Sequence, residues 1–319
     1  MYKTVILGSQ RKSEQWLPEL DRSSDFRFTG FYDPDDSANA DPLGQLMYGM
    51  ELAQSADVFI VDRHVRKLDP SFLHHITRSG CHVLFDGYHL QECDEASELL
   101  KLQTEGRNCI HIGNVLYNQP LFTTANQYIR KPRLIRIEKH CTVPQNGHFK
   151  SWFYKNLAEE MDILLRISQS NVRHITARPL FLFGDKPDLL NIHIEFDNDS
   201  ICNIAAGRAI KPGTHRFRIF QQDKLYDLNF TQNRLLEYRQ TDNRDQLSFL
   251  EDDEVSSVAG FTEIERPVMP FDVWKTELRN FSENISKSLT PISSMEEMVQ
   301  VSLACQSVTD KVQRRYMEV

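Results

Sequence analysis

The 319-residue chain lacks most features that mark a specialised class of protein. Its 6 cysteines (Cys81, Cys93, Cys109, Cys141, Cys202 and Cys305) form no C-x-x-C pair and are irregularly spaced, which argues against a disulfide framework or a thiolate metal site. No signal peptide precedes them, so reduced thiols in a cytoplasmic protein are expected. No apolar run approaches the roughly 20 residues needed to cross a bilayer, so no membrane association is expected. There is no basic block: 37 Lys and Arg stand against 45 Asp and Glu, a net charge of −8. Nucleic acid is thereby a poor partner, because phosphate binding relies on clustered cations. The 11 histidines, His74, His75, His82 and His89 among them, make no metal-ligand spacing, so no metal is expected. No Ser or Cys sits in a nucleophile-elbow context.

What remains is an ordinary globular composition, 40% hydrophobic and 26% charged, long enough for two domains. The informative stretch is Met1 to Asp33. Val5, Ile6 and Leu7 read as a buried parallel strand, and Gly8 ends it. A helix follows through Trp16, Leu17 and Leu20. Phe26 to Tyr32 then reads as a second strand closing on Asp33. Strand, turn, helix and strand with a terminal acid is the unit that holds a dinucleotide. The turn offers backbone N–H groups and a positive helix end to a diphosphate, and the acid accepts from ribose hydroxyls. The usual three glycines fall at Gly8, Gln10 and Ser13, so only Gly8 is present. A working nucleotide site and a bare structural unit are both open on this stretch. Arg11 and Lys12 either offset phosphate charge at the turn or are plain solvated cations.

Further short strands at Val58 to Val61, His82 to Phe85 and Cys109 to Ile112 alternate with helices around Phe72 to Ile76 and Glu95 to Leu102. This alternation predicts an α/β domain with a doubly wound, Rossmann-type parallel sheet over residues 1–120. The pattern then changes. A helix at Leu121 to Ile129, a strand at Leu134 to His140 and a helix at Asn156 to Ile167 precede strands at Ile175 to Phe183, Ile192 to Phe196, Ile201 to Ala205, Phe217 to Phe220 and Leu225 to Phe230. Short turns between strands predict an α+β domain over residues 121–319 with an open, mainly antiparallel sheet. Asp242 to Ser257 reads as an acidic loop. Val273 to Ile285 and Ser294 to Val312 read as closing helices.

The whole chain resembles the glucose–fructose oxidoreductase / inositol dehydrogenase family. The resemblance rests on Asp57-Val58-Phe59-Ile60-Val61, Gly80 through Asp86, Gly113 with Tyr117 and Pro120, Glu160 through Leu165, Glu195 through Ser200, and Leu278-Arg279-Asn280-Phe281 with Pro291. It implies NAD or NADP as cofactor and hydride transfer at a sugar or cyclitol carbon. The departures fall on the chemistry. The family's Glu-Lys-Pro motif reads Asp86, Gly87 and Tyr88, without the lysine. Its Asp-x-Gly-x-His-x-x-Asp helix motif reads Lys155, Leu157, Glu159 and Asp162, without the histidine that serves as acid/base.

The candidate catalytic residues are therefore Lys155, Glu159 and Asp162. Glu159 either replaces the histidine, given a raised pKa, or is a solvated acid beside Glu160. Lys155 either restores the missing lysine charge from another element or is a surface lysine. The candidate cofactor residues are Gly8, Ser9, Gln10, Asp33, Arg63 and Asp86. In Asp62-Arg63-His64 the acid would repel a diphosphate and the arginine attract one, unless the two simply pair at the surface. Asp33, with Asp35 and Asp36 nearby, favours NAD over NADP. Two functions stay open: an oxidoreductase acting on a small sugar-like alcohol, and a cofactor- or sugar-binding sensor or scaffold that has lost turnover. An apolar outer sheet face would favour a homo-oligomer.

Overall fold

The computed structural model describes residues 1–36, 42–65, 68–88, 93–106, 108–140, 149–183, 187–208, 213–240, 261–287 and 295–316. They form two compact units: Met1–Asn118 with Tyr154–Asp162 and Asp272–Gln306, and Gln119–Phe153 with Ile163–Phe271 and Ser307–Val319.

The first unit is built on a five-stranded parallel sheet of β1 (Tyr2–Leu7), β2 (Phe26–Tyr32), β3 (Val58–Val61), β4 (His82–Asp86) and β5 (Ile110–Gly113), in the order β2-β1-β3-β4-β5. Its helices are α1 (Leu17–Arg22), after a 3-10 turn at Glu14–Trp16, then α2 (Pro42–Ser55), α3 (Pro70–Arg78) and α4 (Cys93–Gly106). Both sheet faces are covered, which is why these strands read as unbroken apolar runs rather than alternating ones. On one face Val5, Leu7, Phe59, Val61, Val83 and Phe85 pack with Phe72, Ile76 and Leu99. On the other, Ile6, Val58, Ile60 and Leu84 pack with Trp16, Phe26, Leu278 and Phe281. The last two come from α7 (Val273–Lys287). Phe281 stacks on Phe26 at 5.8 Å between centroids, and Ser282 donates to Asp25 at 2.6 Å.

The second unit holds an eight-stranded sheet of β6 (Leu134–His140), β7 (Val172–Leu180), β8 (Leu189–Phe196), β9 (Ile201–Gly207), β10 (Thr214–Phe220), β11 (Lys224–Asn229), β12 (Arg234–Gln240) and β13 (Phe261–Arg266). The order is β13-β12-β11-β10-β6-β9-β8-β7, antiparallel throughout except for the parallel β6–β9 pair. The remaining helices are α5 (Pro120–Asn126), packed on β11 and β12, α6 (Phe149–Ser168) and α8 (Met295–Tyr316). Ile135, Ile137, Cys202, Ile204, Phe217 and Ile219 are buried on one sheet face. The other face carries one half-buried apolar register row, Ile201–Leu134–Phe220–Leu225–Tyr238. The next row, Asn203–Arg136–Arg218–Asp227, is polar.

Three elements go beyond the sequence reading. α2 carries Pro42, Gly44 and Gly49 and has no strong apolar stripe. β12 breaks the two-residue alternation because Glu237 is buried, held by Arg239 and Arg266. β13 is a largely exposed edge strand. The expected acidic loop at Asp242 to Ser257 lies outside the described residues. Among those residues no helix is long and apolar enough to cross a membrane. Four cysteines, Cys81, Cys109, Cys202 and Cys305, are free and buried; burial pushes the Cys81 thiol up to about 11 and that of Cys109 up to about 12.

Candidate functional site

β1 ends at Leu7, and the N–H of Gly8 donates to the Tyr32 carbonyl at 2.7 Å, bringing the turn beside the end of β2. A Cβ on Gly8 would stand 2.9 Å from both Asp62 Cβ and Ser13 Oγ, closer than real Cβ contacts come, so no other residue fits without a shift. The Ser9 carbonyl accepts from the N–H groups of Lys12 and Ser13 at 3.0 and 3.1 Å, turning the chain toward α1. The Ser13 hydroxyl is buried beside the turn with no partner among the described residues. Gln10, standing where a second glycine is usual, is exposed.

Beside this turn lies an open cleft of about 260 Å³. Ser9 and Lys12 line it from the turn, Asp33, Asp35 and Asp36 from the end of β2, and Asp62, His64 and Val65 from the segment after β3. Asp33 accepts from the Asp35 N–H at 3.0 Å through one carboxylate oxygen. Asp62 is fully buried and both its oxygens are engaged. Oδ1 takes the His64 backbone N–H and ring Nδ1, each at 2.8 Å, and Oδ2 takes Gln15 Nε2 at 3.1 Å. A carboxylate only accepts, so His64 Nδ1 carries the proton and Nε2 is the other ring nitrogen. The His64 side chain is 50% exposed.

Arg63, the residue between them, turns the other way. Its Nε and Nη2 both donate to Asp86 Oδ1, at 3.0 and 2.5 Å, and its Nη1 lies 3.6 Å from Glu159 Oε1. Its guanidinium sits over the Trp274 ring at 5.5 Å, and Trp274 packs on Trp16. Burial pulls the Arg63 pKa down, but Asp86, with Glu159 and Asp62, more than offsets this and keeps it above its ordinary value. For Asp86, burial pushes the carboxyl up against the pull of Arg63. Gly87 follows at φ +93, a left-handed conformation, with Glu159 Oε1 3.8 Å from where a Cβ would stand. A side chain at this position is strained.

Asp162 is buried and accepts from Asn114 Nδ2 at 2.7 Å, which makes it an anchor of α6. Lys155 belongs to α6, and its side chain lies outside the described residues. The sequence reading missed a buried network on β5. His111 Nε2 meets Glu277 Oε1 at 2.8 Å, Asn284 meets His111 Nδ1 at 3.1 Å, and Asn118 donates to Glu277. The signal available was Glu277 on the apolar side of a helical pattern.

The cleft fits one end of a dinucleotide. At Gly8 the turn leaves no room for a Cβ, an acid ends β2, and Lys12 and the His64 imidazole line the cleft between them. Among the described residues no cluster of three or more His, Cys, Asp or Glu could hold a metal ion.

No family model matches the chain. A curated UDP-N-acetylglucosamine 3-dehydrogenase from Acidithiobacillus ferrooxidans is 23% identical over 163 residues. That match covers 50% of this chain and 51% of the relative, so it spans about half of each. The crystal structure of the Acidithiobacillus ferrooxidans enzyme superposes with a TM-score of 0.79 at 16% identity, over 97% of both chains. A dehydrogenase from Clostridium difficile gives 0.75 at 15% identity, over 97% of this chain and 99% of its own. A candidate myo-inositol dehydrogenase from Sinorhizobium meliloti gives 0.71 at 12%, over 99% and 98%. The fold is that of the glucose–fructose oxidoreductase / inositol dehydrogenase type.

Proposed function

We propose that the protein is a divergent NAD-dependent oxidoreductase acting on a sugar- or cyclitol-like alcohol. The observation that carries this is the cleft at the carboxyl ends of β1, β2 and β3, where a turn with no room for a Cβ faces Asp33. Asp33 takes the adenosine ribose, and Asp35 and Asp36 disfavour a 2′-phosphate, hence NAD over NADP. The nicotinamide, when bound, supplies the hydride acceptor. Glu159, half-buried beside Arg63 and Gly87, takes the hydroxyl proton of the substrate, and Arg63 with Asp86 holds that carboxylate in place. Similarity to a UDP-N-acetylglucosamine 3-dehydrogenase supports a sugar-like substrate, and the apolar row on the outer sheet face supports pairing of copies.

A second reading, binding without turnover, is favoured by Gly87 in the lysine's place and by the ion pair that engages Glu159. Titration with NADH, followed by fluorescence and then turnover on a panel of polyols and sugar nucleotides, separates the readings. Saturable binding with turnover that falls at least about 100-fold in Glu159→Gln supports the enzyme, since acid–base groups contribute about 10²–10⁴-fold. Binding without turnover supports the sensor. No binding at millimolar NADH or NADPH removes both cofactor readings. Light scattering is expected to give a multiple of the 37.2 kDa chain, and a monomer at high concentration excludes pairing.

A further inference from the structure

The outer face of the eight-stranded sheet carries a hollow of about 370 Å³ whose lining lies wholly in the second unit. Two register rows form its floor. Arg136, Asn203, His193 and Thr176 follow one another across β6, β9, β8 and β7, and beside them run Glu138, Ala205, Asn191 and Arg178. Ala205 alone among them ends at a methyl group, so the surface dips there between longer neighbours. Strands lie about 4.8 Å apart, so the backbones of Arg136 and Arg178, three strands apart, stand about 14 Å from one another across the sheet.

The arginines set this hollow apart. Elsewhere on the strands of the sheet, Arg173, Arg216, Arg218, Arg234, Arg239 and Arg266 each lie within salt-bridge distance of a carboxylate. Arg136 and Arg178 are the strand arginines with no carboxylate partner among the described residues, and both line the hollow. Arg136 sits over the Phe220 ring at 5.7 Å. The carboxylate in the lining, Glu138, lies 3.4 Å from Arg218 Nη1, and nearby Glu195 lies 3.3 Å from His193 Nε2. His193 Nδ1 is 2.8 Å from Asn203 Oδ1, which leaves Asn203 Nδ2 as a donor.

We infer that this hollow binds a small molecule carrying two acid groups, phosphoryl or carboxylate, one held by Arg136 and the other by Arg178, with Asn191, Asn203 and Thr176 as uncharged hydrogen-bond partners between them. A guanidinium is a planar fork of donors that matches an acid group through two bonds at once. The balance of charge in the lining favours an anion, since both arginines lack a counter-charge and Glu138 already has one. The side chains of the two rows are polar except at Ala205, which disfavours an apolar ligand. Small-molecule clefts begin at about 300 Å³, so the volume suits a compact ligand. No residue of the dinucleotide cleft takes part, and the inference stands apart from the cofactor reading.

The experiment is calorimetric titration of the full chain at low ionic strength with pyrophosphate, citrate and inorganic phosphate, on wild type, Arg136→Gln, Arg178→Gln and Ala205→Leu. Circular dichroism and the melting temperature check that each variant is folded. Either arginine variant is expected to weaken the two-acid probe about 10-fold, the lower end of what a lost hydrogen bond to a charged group costs. Ala205→Leu keeps both arginines but fills the dip, and is expected to weaken the probe at least as much. Inorganic phosphate, with a single acid group, is expected to bind at least about 10-fold more weakly than the better two-acid probe. Preference for pyrophosphate assigns the site to phosphoryl groups, and preference for citrate assigns it to carboxylates. Failure of wild type to bind either two-acid probe overturns the inference. Equal affinity across all variants puts the probe elsewhere and overturns it too, and phosphate binding as tightly as the two-acid probes overturns the two-point grip. NADH titration of the same variants is expected to match wild type, so the cofactor reading stands or falls on its own.

Discussion

Arg63→Ala is expected to lower the unfolding free energy by about 3–5 kcal/mol, the usual cost of removing one partner of a buried ion pair. The reason lies in Asp86, whose side chain is only 1% exposed and whose carboxylate accepts two Arg63 hydrogen bonds. Deleting the arginine removes both of these hydrogen bonds from a carboxylate that is almost fully buried. The exposed pairs Arg173–Asp199 and Lys287–Glu283 provide the contrast, because breaking such pairs costs under about 1 kcal/mol. The pH dependence has a definite sign. Burial already raises the Asp86 carboxyl above 3.8, and loss of Arg63 raises it further. An acid with a raised folded pKa binds more protons folded than unfolded, so its contribution is present at low pH and lost as pH rises through the folded value. Urea unfolding of Arg63→Ala is therefore expected to show a smaller deficit against wild type at pH 5 than at pH 7.5. An equal deficit at both means that Asp86 does not carry the cost. Arg63→Lys keeps the charge but not the two-nitrogen contact, and is expected to fall between.

The first sheet was legible because a strand buried on both faces announces itself as an apolar run. Val58 to Val61 matches β3 residue for residue, and His82 to Phe85 falls one residue short of β4. β12 was not, because its inward Glu237 reads as polar, and only the approach of Arg239 and Arg266 shows why a carboxylate can be buried there. Beside the cleft, the places of Gly8 at the end of β1 and of Asp33 after β2 were readable from spacing alone. The directions of Asp62, Arg63 and His64 were not. These residues leave a strand and enter a turn in which the Val65 N–H returns to the Asp62 carbonyl at 3.0 Å, so neither the strand's nor the helix's period assigns their faces. Reading Asp62 as a repelling acid and Arg63 as an attracting cation missed this. The acid is spent on orienting the histidine, and the cation has crossed to Asp86 and Glu159, beside the glycine that replaces the motif's lysine.

The second large effect concerns α7, and it tests whether the carboxyl-terminal part of the chain is integral to the nucleotide-type unit. Glu277 is 2% exposed and serves two buried or half-buried donors, His111 and Asn118. Asn284 Nδ2 lies 3.1 Å from His111 Nδ1, so both ring nitrogens of His111 are engaged. Glu277→Ala leaves both donors without this acceptor, at about 1–3 kcal/mol each, so a loss of roughly 2–6 kcal/mol is expected in chemical denaturation. Glu277→Gln keeps the shape and one acceptor oxygen but turns an amide N–H toward the second donor, and is expected to cost about half as much. The distribution of the loss separates two architectures. If α7 is a structural wall of the first unit, held also by Phe281 on Phe26 and Ser282 on Asp25, amide exchange in β5 and α7 rises together with that of β1. Exchange that rises in α7 alone means that the helix docks on a sheet that is stable without it, and its burial of Leu278 and Phe281 then contributes little to the core.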